Sequence, residues 1–523
     1  MIQTKKIFVL FSLVTLLLLA SSVLLANEGE LKIKLGGVII DDQDNFGVNQ
    51  ETYNTYEGFG LSLYDFRYET DAGFGFSADL YNITMNNRNM RFSAYKPGLV
   101  KISGYNNQYR RTYDPDGVNF TRRESSGVKG TVQPFRNVKL FGGVDYTDKD
   151  GMSYNVYRPV ADTVELSTNY TNYSYNFGAS GYCPFGILMF EYKSFVFQDD
   201  LDFSNDREAD QFKVSLFSTY PGYDPLKFSA GYFTRKDKLD GYTTELKTDV
   251  YWGAAKLYMK NGWMADYRLI LAQSDHTGNA HETDNDRHTL SLTKAWKGMG
   301  GIRAGYEYGT SDNSVDRTIS NGFLFKGWYN WENKWYFKSK YSVINKDVDD
   351  GATLIGQEDR SRHNLSVKYV DKNWGSIKGK VEKRVKEYDE LNSKVDYTSA
   401  SVGLLLKKAN LGKLSLNGTY YLGQFENHST VVNYEFTDHL LSAYIYPHII
   451  NKIEVWTGAT YYRSQRDIDL EKFSFTFGVS WEFIPTHHLN TKYKAYTYDD
   501  LMVASDTYTA NIIEFNLIKD LKL

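Results

Sequence analysis

The sequence predicts an all-β chain: a transmembrane, antiparallel up-and-down β-barrel of about 26 strands (range about 22–26), with short turns at one end and long loops at the other. Three observations predict it. The composition is aromatic yet polar, polar and apolar residues alternate over bilayer-length segments, and long and short connections alternate along the chain.

The composition comes first. Tyr (43), Phe (31) and Trp (9) make the 523-residue chain 16% aromatic, and Pro is rare (9), while mean hydropathy is −0.49. A helical membrane protein needs repeated apolar runs of about 20 residues, and none follows the N-terminus. In a transmembrane barrel half the strand positions face lipid and half a wet lumen, with aromatic girdles at both interfaces.

The N-terminus reads as an export signal. Lys5 and Lys6 form a positive start, Ile7 to Ala20 is largely apolar, and Leu24-Leu25-Ala26 is a cleavage site before Asn27. The expected organisation is therefore a signal peptide at 1–26 and a single outer-membrane barrel at 27–523. The space between Ala26 and the first strand is too short for a globular plug. Loss of Lys5 and Lys6 takes the formal charge from −4 to −6. Both signs are interspersed, so no nucleic-acid partner is expected. Cys183 is the only cysteine, which excludes an intrachain disulfide and C-x-x-C-H haem attachment.

Strand periodicity is legible in Phe473–Phe483. Phe473, Phe475, Phe477, Val479, Trp481 and Phe483 fall on one face; Ser474, Thr476, Gly478, Ser480 and Glu482 fall on the other. The same split recurs at Leu290–Trp296, Leu365–Tyr369 and Leu414–Leu422. A soluble sandwich alternates over about 5–6 residues per strand. Here the segments run to about 10, as crossing a bilayer requires.

Connection parity gives the orientation. Long connections include Asp41–Tyr56, Arg110–Arg123, Asp148–Val164, Ser274–Arg287 and Asn345–Arg360; short ones include Thr70–Gly73, Gln133–Asn137, Lys297–Met299 and Asp371–Trp374. Thr84–Asn89 is an exception, brief where a long loop is due. Bacterial barrels put short turns in the periplasm and long loops outside. The expected location is thus the bacterial outer membrane, surrounded by its lipid, with both termini periplasmic.

Candidate chemical sites are few. Ser274–His288 holds Asp275, His276, His281, Asp284, Asp286 and His288, but their spacing matches no rigid metal site. Asp347, Asp349, Asp350 and Gly351 invite a calcium loop, yet Lys346 falls where the first carboxylate belongs. His439, His448, His487 and His488 have no nucleophile motif beside them. No catalytic, metal or cofactor residue is assigned, and no enzyme is expected.

The lumen is more informative. In Gly375–Lys386 one face reads Lys378, Lys380, Glu382, Arg384, Lys386, and the other Ile377, Gly379, Val381, Lys383, Val385. Charge on the lipid face costs about 2–4 kcal/mol at the midplane, so the first face is expected to point inward as a pore or partner surface. Lys383 then belongs near the rim, where it can snorkel. Barrels of 16–18 strands already leave an aqueous channel, so a wider one needs an occupant or inward loops.

A family resemblance suggests an occupant. Ala78-Asp79-Leu80, Asn87-Arg88-Asn89-Met90-Arg91-Phe92, Lys96-Pro97-Gly98-Leu99-Val100, Tyr105–Asp114 and Gln133-Pro134 with Val138-Lys139-Leu140 resemble the decaheme-cytochrome-associated outer-membrane barrels of MtrB/PioB type. The similarity covers Tyr56–Thr147. It implies a non-catalytic scaffold ensheathing a periplasmic multihaem cytochrome for electron transfer across the outer membrane, with an outer-surface cytochrome as a further partner and haem only on those partners. This chain lacks the N-terminal C-x-x-C of some members and ends in Leu523 rather than an aromatic. The alternative expectation is a wide diffusion porin for solutes.

Overall fold

The computed structural model describes residues 29–522, apart from 43–56, 113–119, 155–164, 203–204, 220–224, 240–244, 277–282, 314–316, 350–358, 389–392, 407–413, 429–432, 448–451 and 503–506. The expected signal peptide at 1–26 and Leu523 lie outside the described residues, as do His281, Asp350, Gly351 and His448.

Twenty-six strands, β1 to β26 in chain order, form one antiparallel sheet in which each pairs with its sequence neighbours. β1 (Gly29–Asp42) also pairs with β26 (Tyr508–Lys522), from Glu30 opposite Lys522 to Asp42 opposite Ala510. That pairing closes the barrel. Closure satisfies the backbone groups that an open sheet edge would leave bare in lipid. The expected up-and-down barrel of about 26 strands is the observed fold. Among the described residues no helix is long and apolar enough to cross a membrane.

In an antiparallel pair, directly opposed residues share a face. Leu290, Tyr306, Phe323 and Val343 are opposed in turn across four strands, as are Leu365, Val381, Ala400 and Leu422 across another four. This face exposes its apolar side chains: Leu290 is 55% exposed, Phe323 57% and Val381 51%. It is the lipid belt. The other face carries the charges and lines the lumen. Fully buried apolar residues are therefore few, the largest group being Phe66, Ala78 and Leu80.

Two regions depart from the simple pattern. β3 (Gly75–Tyr81) and β4 (Asn89–Lys96) have only 7 and 8 residues. The turn between them instead bonds to β2 (Gly58–Glu69): Ile83 N–H donates to Leu61 O (2.8 Å), and Asn82 N–H to Ser62 Oγ (2.9 Å). The brief Thr84–Asn89 connection is thus a tight turn tied to β2, Leu61 N–H donating to Thr84 Oγ1 at 3.2 Å. Next to it, β2 skips register between Leu63 and Phe66, with Asp65 at φ 55°. The bulge brings Asp65 within 2.9 Å of Lys32.

Several connections read as long loops are partly strand. β7 (Val138–Tyr154) and β8 (Glu165–Cys183) run to 17 and 19 residues, beyond the about 9–11 a crossing needs. Ser274–His288 is corrected likewise. β13 (Trp263–His276) and β14 (Thr283–Trp296) carry all its described candidates. There His288 Nδ1 is 2.8 Å from Tyr267 Oη, and Asp286 accepts from the Thr310 backbone N–H at 2.8 Å. Among the described residues no three His, Cys, Asp or Glu converge to hold a metal.

Candidate functional site: a basic lumen wall

The sequence-predicted face lies on β19 (Gly375–Tyr388), between β18 (Asp359–Asp371) and β20 (Ser393–Leu406). Lys378, Lys380, Glu382, Arg384 and Lys386 share one face, opposite the lipid-exposed Ile377 and Val381. The hub is Glu382, whose side chain is 2% exposed. It accepts from Lys380 Nζ at 2.6 Å and from Asn364 Nδ2 at 3.1 Å, and it pairs with Arg362 at 2.7 Å. Arg384 Nε bonds the same carboxylate. Three cations around one buried acid satisfy its oxygens and leave a net positive cluster. The Arg384 guanidinium also lies 5.5 Å from the Tyr397 ring centre.

Two smaller clusters repeat this arrangement on the lumen face. Asp237, 5% exposed, pairs with Arg207 (2.6 Å) and Arg235 (2.7 Å). Asp266, 7% exposed, pairs with Arg268 (3.1 Å) and Arg303 (3.8 Å). Sequence reasoning missed both. Their signal was available: Arg235-x-Asp237 and Asp266-x-Arg268 put opposite charges two apart, on one strand face.

Sequence reasoning also missed how far the basic face extends. Arg362 is directly opposite Arg384, Arg360 opposite Lys386, and Lys368 opposite Lys378. On β16 (Arg317–Trp331) and β17 (Trp335–Asp349), Lys326 is opposite Lys340. Lys338 and Lys346 share that face with Lys340, which registers with Asn364 on β18. Over β16 to β19 this face therefore carries eleven basic residues and one acid, Glu382. Lys338, Lys340, Lys368 and Lys378 are exposed and have no acidic partner among the described residues. Like charges directly opposed across strands destabilise a sheet; here three such pairs lie along the β18–β19 seam, the Arg362–Arg384 pair bridged by Glu382, and one lies on the β16–β17 seam.

One other stretch of the lumen wall, over β3 to β7, pairs its charges off. A recess of about 630 Å³ on β3 to β7 includes Asp79, Arg91, Tyr105 and Lys129 in its lining. There Arg67 pairs with Asp79 at 3.3 Å, Lys129 with Asp145 at 3.5 Å, and Tyr105 Oη donates to Asp145 at 2.8 Å. The contrast singles out the β16–β19 wall.

Lys383, on the lipid side, pairs with Asp396 at 3.1 Å. It lies between Val381 and Val385 and is level with the polar His363 and Thr398. Outside the spanning segments, the turn after β18 is closed by Asp371, which accepts from the backbone N–H of Asn373 at 2.7 Å and of Trp374 at 3.3 Å. The Asn373 bond is the main cause holding the Asp371 pKa below the usual carboxylate value.

No protein-family model matches the chain, and no curated protein matches it. Solved structures do. The FrpB iron transporter from Neisseria meningitidis is similar over 95% of this chain and 82% of its own, at 8% identity and a TM-score of 0.52. The siderophore receptor PirA from Acinetobacter baumannii is similar over 95% and 81%, at 9% identity and a TM-score of 0.51. Both likenesses are of fold alone, a large β-barrel; the outer-membrane location rests on the closed 26-strand barrel and its exposed apolar belt. The likenesses overturn the cytochrome expectation. The barrels this chain is similar to are an iron transporter and a siderophore receptor, not sheaths for a periplasmic or outer-surface multihaem cytochrome. The physical reason is that a wide lumen calls for an occupant without specifying it, and large transporter barrels share that geometry. The diffusion-porin alternative is set aside with it, since an open hole does not require clustered charge on one wall.

Proposed function

We propose that this chain is an outer-membrane uptake barrel that binds a ligand in its lumen during passage. The observation that carries this reading is the charged lumen wall, organised around buried Glu382 and running along β16 to β19 inside a closed barrel. Uptake is also the class of role named for the transporter and receptor of similar fold; no particular ligand is carried over from them. In this reading the chain acts by binding and transport rather than catalysis. The short-turn end and both termini face the periplasm, because short turns precede and long connections follow the outward strands. The resemblance of Tyr56–Thr147 to the MtrB/PioB-type barrels is retained only as a proposal of sequence kinship.

The test is solute entry into liposomes containing the purified barrel. Entry that saturates with solute concentration supports the reading. Entry strictly proportional to concentration for every solute, or none at all, would overturn it.

A further inference from the structure

We propose that the β16–β19 lumen wall is a binding track for a small polyvalent oxyanion, a ligand carrying several carboxylate or phosphate groups. This deepens the uptake reading and rests on it. Four like-charge pairs line the wall: Arg362 with Arg384, Arg360 with Lys386, Lys368 with Lys378 and Lys326 with Lys340. For Lys368 with Lys378 and Lys326 with Lys340, which share no acid among the described residues, the juxtaposition is unfavourable for the empty wall, and a bound anion removes that penalty.

Position supports the same conclusion. Lys378 lies three residues above the start of β19 and Lys386 two below its end, a climb of about 26 Å along the strand at its usual rise. Basic groups thus recur along the direction of transport, and an anion released by one pair meets the next. A low-dielectric wall focuses this field and raises the local anion concentration.

The side-chain types set the ligand class. Arg guanidinium groups bind carboxylate and phosphate through two parallel N–H donors, whereas Lys acts as a mobile point charge. Glu382 engages Arg362 and Arg384, so the two forks are held in place in the middle of the track. Lys338, Lys340, Lys368 and Lys378 stay exposed toward the lumen. A monovalent anion meets one pair at a time, while a polyvalent one spans two.

The experiment measures current through the purified barrel in a planar bilayer, with tripolyphosphate and citrate as separate probes. The comparison is the wild type against a fourfold variant, Lys338→Gln, Lys340→Gln, Lys368→Gln and Lys378→Gln. Lys383→Gln, on the lipid side, is the control, and heat-modifiable gel mobility verifies that each variant is folded. The expectation is anion selectivity and block by low concentrations of at least one probe. The half-blocking concentration should rise about tenfold or more in the fourfold variant, within the range expected of electrostatic focusing, and stay unchanged in the control. Tripolyphosphate blocking far better than citrate assigns phosphate ligands; the reverse assigns carboxylates. Equal block of wild type and fourfold variant overturns the track. So does an acidic polypeptide that co-purifies stoichiometrically and shields these lysines from acylation. Saturable entry without anion preference sinks the track and leaves the uptake reading intact; no entry sinks both.

Discussion

Arg362 and Arg384 stand directly opposite one another on neighbouring strands, and both turn toward a single carboxylate, Glu382. Two guanidinium groups that repel each other are tied together by the one acid between them. Glu382→Gln should therefore destabilise the barrel rather than relax it. Removing one member of a buried ion cluster costs about 3–5 kcal/mol. The cations here are half exposed to a wet lumen, and screening reduces the expected loss to about 1–2 kcal/mol. Denaturant unfolding in detergent micelles, read by tryptophan fluorescence, measures it.

The assignment of faces predicts opposite outcomes at adjacent positions. Val381, on the belt, should not tolerate a charge; Val381→Lys is expected to cost about 2–4 kcal/mol of membrane folding stability. Lys380→Arg, one residue away on the lumen side, should be close to neutral. Folding yield into lipid vesicles compares the two, and equal behaviour would reverse the faces.

Three of the strands that follow short turns begin with a glycine at positive φ. Gly186, Gly300 and Gly375 have φ of 144°, 151° and 135°, and a Cβ at each would press into a carbonyl oxygen of the next strand: Phe217, Trp328 and Leu405 respectively. Both the backbone conformation and the space require glycine. Gly300→Ala should cost about 1–3 kcal/mol and lower the fraction of heat-modifiable, folded barrel on cold gels.

The Asp371 turn predicts a pH effect at that end of the barrel. Its carboxyl titrates below the usual value because the Asn373 amide bonds the ionised form. A depressed folded-state pKa contributes stability above the unfolded pKa and loses it as pH falls through the folded one. Protection factors at Asn373 and Trp374, taken relative to the intrinsic exchange rate at each pH, should fall on acidification, and Asp371→Ala should show low protection at every pH.

The fold was legible because period-two alternation is a strong signal when one face meets lipid. Phe473 to Phe483 shows this most clearly, within β24 (Leu470–Ile484). Strand ends were less legible, since above the belt both faces turn polar: Asp284, Asp286 and His288 look like loop residues and lie in β14. The candidate wall was half legible. The charges of β19 stand out within one strand, whereas their like-charged partners Arg360, Arg362 and Lys368 become neighbours only once register is known. The occupant was not legible, because a wide barrel states how much space there is and nothing about what enters it.

The short β3–β4 hairpin has a consequence for approach to the lumen. Its 7- and 8-residue strands stand two strands from β7 and β8, of 17 and 19 residues. Among the described residues the strand rim is thus uneven, lower at β3 and β4 than at β7 and β8. The uneven rim sets where the wall is shortest to cross, so lengthening the β3–β4 hairpin should alter the rate of ligand capture in a stopped-flow assay without altering affinity.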